Sequence, residues 1–223
     1  MQSEPIPLSD RSNLSADVAR RIRDLIATGE LPPNSRINEV HLSRELGVSR
    51  TPLREALASL IAEGAIKHQP RRGNFVRPLT RDEFESIYGI RPILDIEALR
   101  LSGIPDEATI ERLESLNEKL RTAKSTAKRI ELDDEWHLLL VENCGNSVLL
   151  DLIRQFINRT RRYEVAYLKD AEHVGTAYDE HVVVMNALRA GDLDAACKGL
   201  TQNLTTGIDP ILEWLDSLEE QRQ

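Results

Sequence analysis

Apolar residues recur at three- and four-residue spacing along most of this chain, with one short stretch of alternation near residue 70. Residues 1–13 are polar, contain two prolines and read as a mobile tail. In the first helical run, 16–28, Val18, Ile22, Leu25 and Ile26 make one face while Arg20, Arg21 and Arg23 lie away from it; Ser15 can cap it and Gly29 ends it. After Leu31-Pro32-Pro33, Asn38 can cap a short helix over 39–46, and Gly47-Val48 supplies a sharp corner. A second helix follows, with Ser49 as its N-cap and Pro52 in its first turn, where a missing N–H costs nothing. Its inward stripe is Leu53, Ala56, Leu57, Leu60 and Ile61, which leaves Arg50, Thr51 and Arg54 on the outer side near the N-terminal end. This is the pattern of a helix-turn-helix whose second helix enters a DNA major groove.

Residues 65–68 and 74–77 then read as two short strands around Gln69-Pro70-Arg71-Arg72-Gly73. A basic hairpin tip can be an ordinary exposed turn or a wing in which Arg71, Arg72 and Gly73 meet phosphate or the minor groove; the helix-turn-helix before it favours the wing. Pro78-Leu79 marks a boundary, so the chain divides into 1–78 and 79–223. Thr80-Arg81-Asp82-Glu83 is a capping box, and from there the pattern is helical over 81–102, 106–123, 127–143, 146–169, 173–190 and 192–218. Six antiparallel helices of that length predict a bundle, with Pro92 kinking the first of them.

Composition agrees with a helical chain: only 4% of the 223 residues are aromatic, while Leu, Ala, Glu and Arg abound. Net charge is −8, yet residues 1–78 carry 12 Lys+Arg against 9 Asp+Glu and the remainder 17 against 28, a head of +3 on a body of −11. That asymmetry suits a molecule in which only the head meets phosphate. Cys144 and Cys197 lie in apolar helical contexts and are expected as buried thiols of a reducing cytoplasm. No run approaches the about 18 apolar residues of a membrane span, and the N-terminus is no signal peptide, so a cytoplasmic protein is expected.

Chemistry in the bundle centres on Asp133-x-x-x-His137, whose side chains share one helix face at i,i+4. Such a pair can chelate a metal with residues of other helices, or it can be a satisfied pair with no ion. Of the basic run Arg159, Arg161 and Arg162, some must face solvent; Arg162 and the neighbouring Asn158 are candidate pocket residues. No Ser-His-Asp order, phosphate-binding glycine loop or Cys-x-x-Cys pair stands out.

The string Leu46-Gly47-Val48-Ser49-Arg50-Thr51-Pro52-Leu53-Arg54-Glu55-Ala56-Leu57, with Gly29-Glu30-Leu31-Pro32-Pro33 before it and Pro70-Arg71-Arg72-Gly73-Asn74-Phe75-Val76 after it, resembles the GntR family of bacterial transcription regulators. Tyr88-Gly89-Ile90-Arg91, Gly145-Asn146 and Gly191-Asp192 resemble the effector (FCD) domain of its FadR-type branch, and six helices are closest to the VanR-like subgroup. The resemblance implies a winged head, a helical domain that dimerises, and usually a repressor of a palindromic DNA operator. It also implies a divalent metal (zinc, nickel or manganese) held by Asp133, His137, His181 and a fourth residue, at which this chain has Asn203 in place of histidine. Asn can ligate through its amide oxygen but is weaker than imidazole. A small carboxylate effector would bridge that metal and Arg91, which could equally be an interhelical salt-bridge arginine. The alternatives are a metal-dependent hydrolytic enzyme with a helix-turn-helix docking module, and a helical adaptor.

Overall fold

The computed structural model describes residues 8–27 and 29–220, in two compact units that divide between Pro78 and Leu79. The first contains α1 (Leu8–Ala27), α2 (Glu39–Glu45), α3 (Arg50–Ala62), β1 (Ile66–Gln69) and β2 (Gly73–Val76). Helix α1 begins well before residue 16, because no glycine or proline stands between Pro7 and Gly29 to stop it; Ser15 is therefore interior and not a cap. Of the expected tail, residues 8–13 are helical and 1–7 lie outside the described residues. Val18, Ile22 and Leu25 of α1 pack with Leu53, Leu57 and Leu60 of α3 and with Ile66 and Val76 of the strands. Arg23 grips Glu63 through two 2.9 Å hydrogen bonds, fixing α1 to the end of α3. The strands pair antiparallel with Ile66 opposite Val76 and Gln69 opposite Gly73. A backbone bridge from 35–37 extends the sheet, with the Ile37 amide donating to the Asn74 carbonyl at 2.8 Å.

The second unit is all helical: α4 (Arg81–Tyr88), α5 (Arg91–Ser102), α6 (Glu107–Thr122), α7 (Thr126–Leu140), α8 (Ser147–Leu168), α9 (Ala171–Arg189), α10 (Leu193–Thr206) and α11 (Ile208–Glu220). Two of the six expected runs are broken. The chain turns at Gly89-Ile90, so Pro92 falls in the first turn of α5, where it neither kinks a helix nor removes a hydrogen bond. The last run is interrupted at Gly207, where the ring of Tyr167 comes within 3.6 Å of the position a Cβ would take. With eight helices among the described residues of this unit, the count on which the VanR-like reading rested no longer holds.

Asp106, Ser125, Asn146, Asp170 and Asp192 each accept an amide N–H at the start of a helix, which fixes most of the boundaries. The apolar interior falls into two clusters. One gathers Leu99, Leu113, Trp136, Ile153, Val184 and Leu200; the other gathers Phe84, Ile87, Tyr163, Val174, Ile211 and Leu215. Both cysteines are buried and free. No helix among the described residues is long and apolar enough to cross a membrane.

Candidate functional site

At the head, Ser49 occupies the N-cap of α3 but its side chain makes no capping hydrogen bond. Ser49, Arg50, Thr51 and Arg54 are all exposed around the start of that helix, whose unpaired amides and dipole favour an anion. Arg54 Nε donates to Glu39 of α2 at 3.1 Å, and Glu39 in turn accepts from the side-chain amide of Asn74 at 3.4 Å. Because a carboxylate only accepts, the Asn74 oxygen faces His68 Nδ1, 2.8 Å away. A line of polar contacts thus runs from the recognition helix to the wing strands.

The wing tip follows from Pro70 and Arg71. The Arg72 amide donates to the Gln69 carbonyl at 3.0 Å, and Arg71 has φ 63, as in a type II turn with proline at its second position. That conformation is costly for a non-glycine residue, and it holds Arg71 and Arg72 exposed at the tip. Gly73, at φ 95, lets the Arg36 guanidinium approach to 3.6 Å of where its Cβ would be.

In the helical unit, a cavity of about 40 Å³ lies where the two apolar clusters meet, roughly three times the space one water needs. Asp133 and His137 of α7, Arg91 of α5, Glu164 of α8 and Asn203 of α10 line it, together with Tyr88, Tyr167 and Gly207. His181 of α9 completes a cluster with Asp133 and His137 in which one ligand atom from each lies within 4.8 Å of the others. The ring of His181 lies flat on Trp136 at 3.6 Å, which fixes its plane.

The hydrogen-bond donors and acceptors can be assigned outward from a backbone carbonyl. Asn117 Nδ2 donates to the Tyr178 carbonyl at 3.0 Å, so the Asn117 oxygen faces His181 Nδ1 at 2.9 Å and that nitrogen carries the proton. His181 Nε2 is then a bare lone pair. It is buried without a hydrogen-bond partner, 3.6 Å from Asp133 Oδ1. Asp133 Oδ2 likewise stands 3.7 Å from His137 Nε2. Burial pushes the Asp133 carboxyl well above the usual carboxylate range, helped by Glu164 and Asp134. It also lowers His137 well below its usual value and His181 to about 3. Neutral imidazoles and a carboxylate converging without hydrogen bonds between them are a donor set that fits a divalent cation, the ring orientation being held by Asn117 as an outer partner. Asn203 matches this pattern: its amide nitrogen donates to Glu180 at 3.2 Å, which leaves its oxygen as the atom that could ligate.

Arg91 is only 2% exposed and not a free cation. Its NH1 donates to Glu164 Oε1 at 2.9 Å and to Thr160 Oγ1 at 3.1 Å. Burial works against its charge, and Asp95 and Glu164 overcome that to hold it firmly protonated. Arg162 and Asn158, expected in the pocket, are not among the cavity-lining residues; Arg162 instead pairs with Glu83 of α4. The sequence reading missed Glu164 and Asn117. Both were detectable as polar residues at apolar-stripe positions: Ile153, Ile157, Thr160, Glu164 on α8, and Ile110, Leu113, Asn117, Leu120 on α6.

Two family models match separate stretches of the chain. The model of the "Bacterial regulatory proteins, gntR family" matches residues 14–76, and that of the FCD domain matches residues 86–206. The chain is 30% identical over 184 residues to the Nta operon transcriptional regulator of Aminobacter aminovorans, covering 81% of this chain and 86% of that one. It is 25% identical over 214 residues to the transcriptional repressor GlaR of Escherichia coli K12, covering 89% and 96%. Among solved structures, E. coli McbR/YncC superposes with a TM-score of 0.74 at 22% identity, covering 90% of this chain and 98% of that one, which speaks for the fold alone. These relatives are regulators, and nothing among them supports the hydrolytic alternative. With an exposed arginine-bearing helix start, a basic wing and both family models matched, the chain belongs to the GntR family of bacterial regulators in the branch that carries an FCD domain, and is a DNA-binding transcriptional regulator.

Proposed function

We propose that this regulator is a homodimeric repressor of a palindromic operator, controlled by a small carboxylate bound in the FCD cavity beside a divalent metal held by Asp133, His137, His181 and Asn203. The observation that carries the metal is His181 Nε2, a buried lone pair without a partner facing Asp133 Oδ1 at 3.6 Å. When bound, the ion would supply positive charge and open coordination positions for the carboxylate. The chain's own residues do the rest: Asn117 orients His181, Glu180 orients Asn203, and Leu204 and Ile211 give the cavity an apolar side.

At the head, Arg50 and Arg54 are assigned to guanine edges or phosphates, Ser49 and Thr51 to phosphates, and Arg71, Arg72 and Gly73 to the wing contact. One short helix reads too few base pairs for specificity, so two heads on a palindrome are required. Ile93 on α5 and Val148 on α8 are 67% and 69% exposed, apolar side chains of the kind that a second copy would cover in a dimer. The test is elemental analysis of the purified full chain with operator binding measured alongside. Near-stoichiometric metal, lost in His137→Ala and His181→Ala, is expected; a metal-free protein with the cavity intact and normal response to its effector would remove the ion from the account.

A further inference from the structure

The assigned metal and carboxylate do not account for the other end of the cavity, where the wall is anionic. Arg91, the arginine expected to anchor a ligand carboxylate, is already taken by a carboxylate of the protein itself, since its NH1 bonds Glu164 Oε1 at 2.9 Å. Glu164 Oε1 also accepts from Thr160 Oγ1 at 2.9 Å and from the Tyr88 hydroxyl at 3.4 Å. Its second oxygen, Oε2, is buried with no hydrogen-bond partner, and the residue, 6% exposed, lines the cavity. A buried acceptor left unpaired costs free energy that a ligand donor would recover.

The charge balance points the same way. Asp95 and Glu164 both act on the single guanidinium of Arg91, and Glu164, Asp134 and Glu180 all act on Asp133, so the groups around the cavity are predominantly anionic and favour a ligand that brings a cation along with its carboxylate. A plain carboxylate satisfies only the metal end and leaves Glu164 Oε2 without a donor. A molecule carrying a carboxylate and an ammonium a few bonds apart satisfies both.

We propose that the cavity ligand is a small amino acid, its carboxylate directed to the Asp133, His137 and His181 cluster and its ammonium donating to Glu164. This rests on the metal-and-carboxylate reading above and narrows it, making Glu164 the residue that selects an amine-bearing acid over a simple acid of the same size.

The test uses L-alanine, L-lactate and propionate, which differ only in whether an ammonium, a hydroxyl or a hydrogen sits beside the carboxylate. Each is titrated calorimetrically into the zinc-loaded full-length protein. Alanine should bind about tenfold or more tighter than propionate, the worth of one charge-assisted hydrogen bond, with lactate between them. In Glu164→Gln, with folding checked by circular dichroism, alanine should fall to the level of propionate. Should the variant not fold, the alanine-to-propionate ratio of the wild type decides alone. Propionate binding as tightly as alanine to the wild type overturns the amino-acid proposal and leaves the metal-and-carboxylate reading standing. Protein that neither takes up zinc nor binds any of the three overturns both.

Discussion

Arg50 and Arg54 lie one turn apart on the exposed side of α3, and they are not equivalent, because Glu39 holds Arg54 at 3.1 Å. Replacing either by alanine should cost about 1–3 kcal/mol of operator affinity if it reads a base, with preference relaxed at one position; a phosphate contact would instead weaken all sequences alike. Fluorescence anisotropy on operator and single-base variants distinguishes the two, and unchanged affinity in a folded Arg50→Ala protein would refute the assignment. A second prediction concerns His181, whose pKa falls from 6.5 to about 3 through burial. Between those values the unfolded chain binds a proton that the folded chain does not. The contribution is therefore complete above pH 6.5 and lost as pH falls towards 3, with a slope of at most about 1.4 kcal/mol per pH unit. Urea titrations in chelator at pH 7.5 and 5 should show the metal-free wild type losing more stability than His181→Gln; parallel losses would contradict it. At this scale the sequence disclosed Asp133 and His137 through i,i+4 spacing, while His181 and Asn203 came only from family likeness. Glu164 follows a run of arginines that reads as a solvated face, and only its place on the buried Ile153, Ile157 and Thr160 stripe marks it as interior.

Helix α8 presents two chemistries on two faces. Thr160 and Glu164 meet Arg91 in the interior, whereas Arg159, Arg162 and Tyr163 converge on Glu83 at the start of α4. The Thr80 hydroxyl caps α4 as its sequence announced, accepting from the Glu83 amide at 3.3 Å. The Thr80 amide, however, donates to the Tyr163 hydroxyl at 3.3 Å, so the reciprocal half of the capping box is served from α8. Glu83→Ala leaves two arginines without their shared carboxylate and should cost about 1–3 kcal/mol, discounted from a fully buried pair because Arg159 is partly exposed. A urea midpoint unchanged from wild type would mean that this junction contributes nothing to stability. The breaks at Gly89 and Gly207 escaped the sequence reading for a physical reason. The apolar spacing runs across both, and an isolated glycine in a helical pattern costs only about 1 kcal/mol, so neither announces an end by itself; at Gly207 the Tyr167 ring supplies a tertiary contact that the spacing does not show. Proline at position 92 was the better clue, and it marks a helix start as readily as a kink.

For the molecule as a whole, the order of a basic winged head and an acidic helical body was legible from periodicity and charge, because both are properties of long segments and average over local error. Regulation then requires that the cavity ligand favour one state of the dimer over another, and it can shift DNA binding only by its differential affinity for those states. The most direct measurement is operator affinity by fluorescence anisotropy, on DNA selected from a random pool, with and without a ligand shown calorimetrically to bind the zinc-loaded cavity. The account predicts a shift of about 5- to 150-fold in wild type, a shift of the same factor in ligand affinity when operator is present, and no shift in His137→Ala. Equal operator affinity with and without bound ligand would contradict it, and the cavity would then hold its ligand without governing the head.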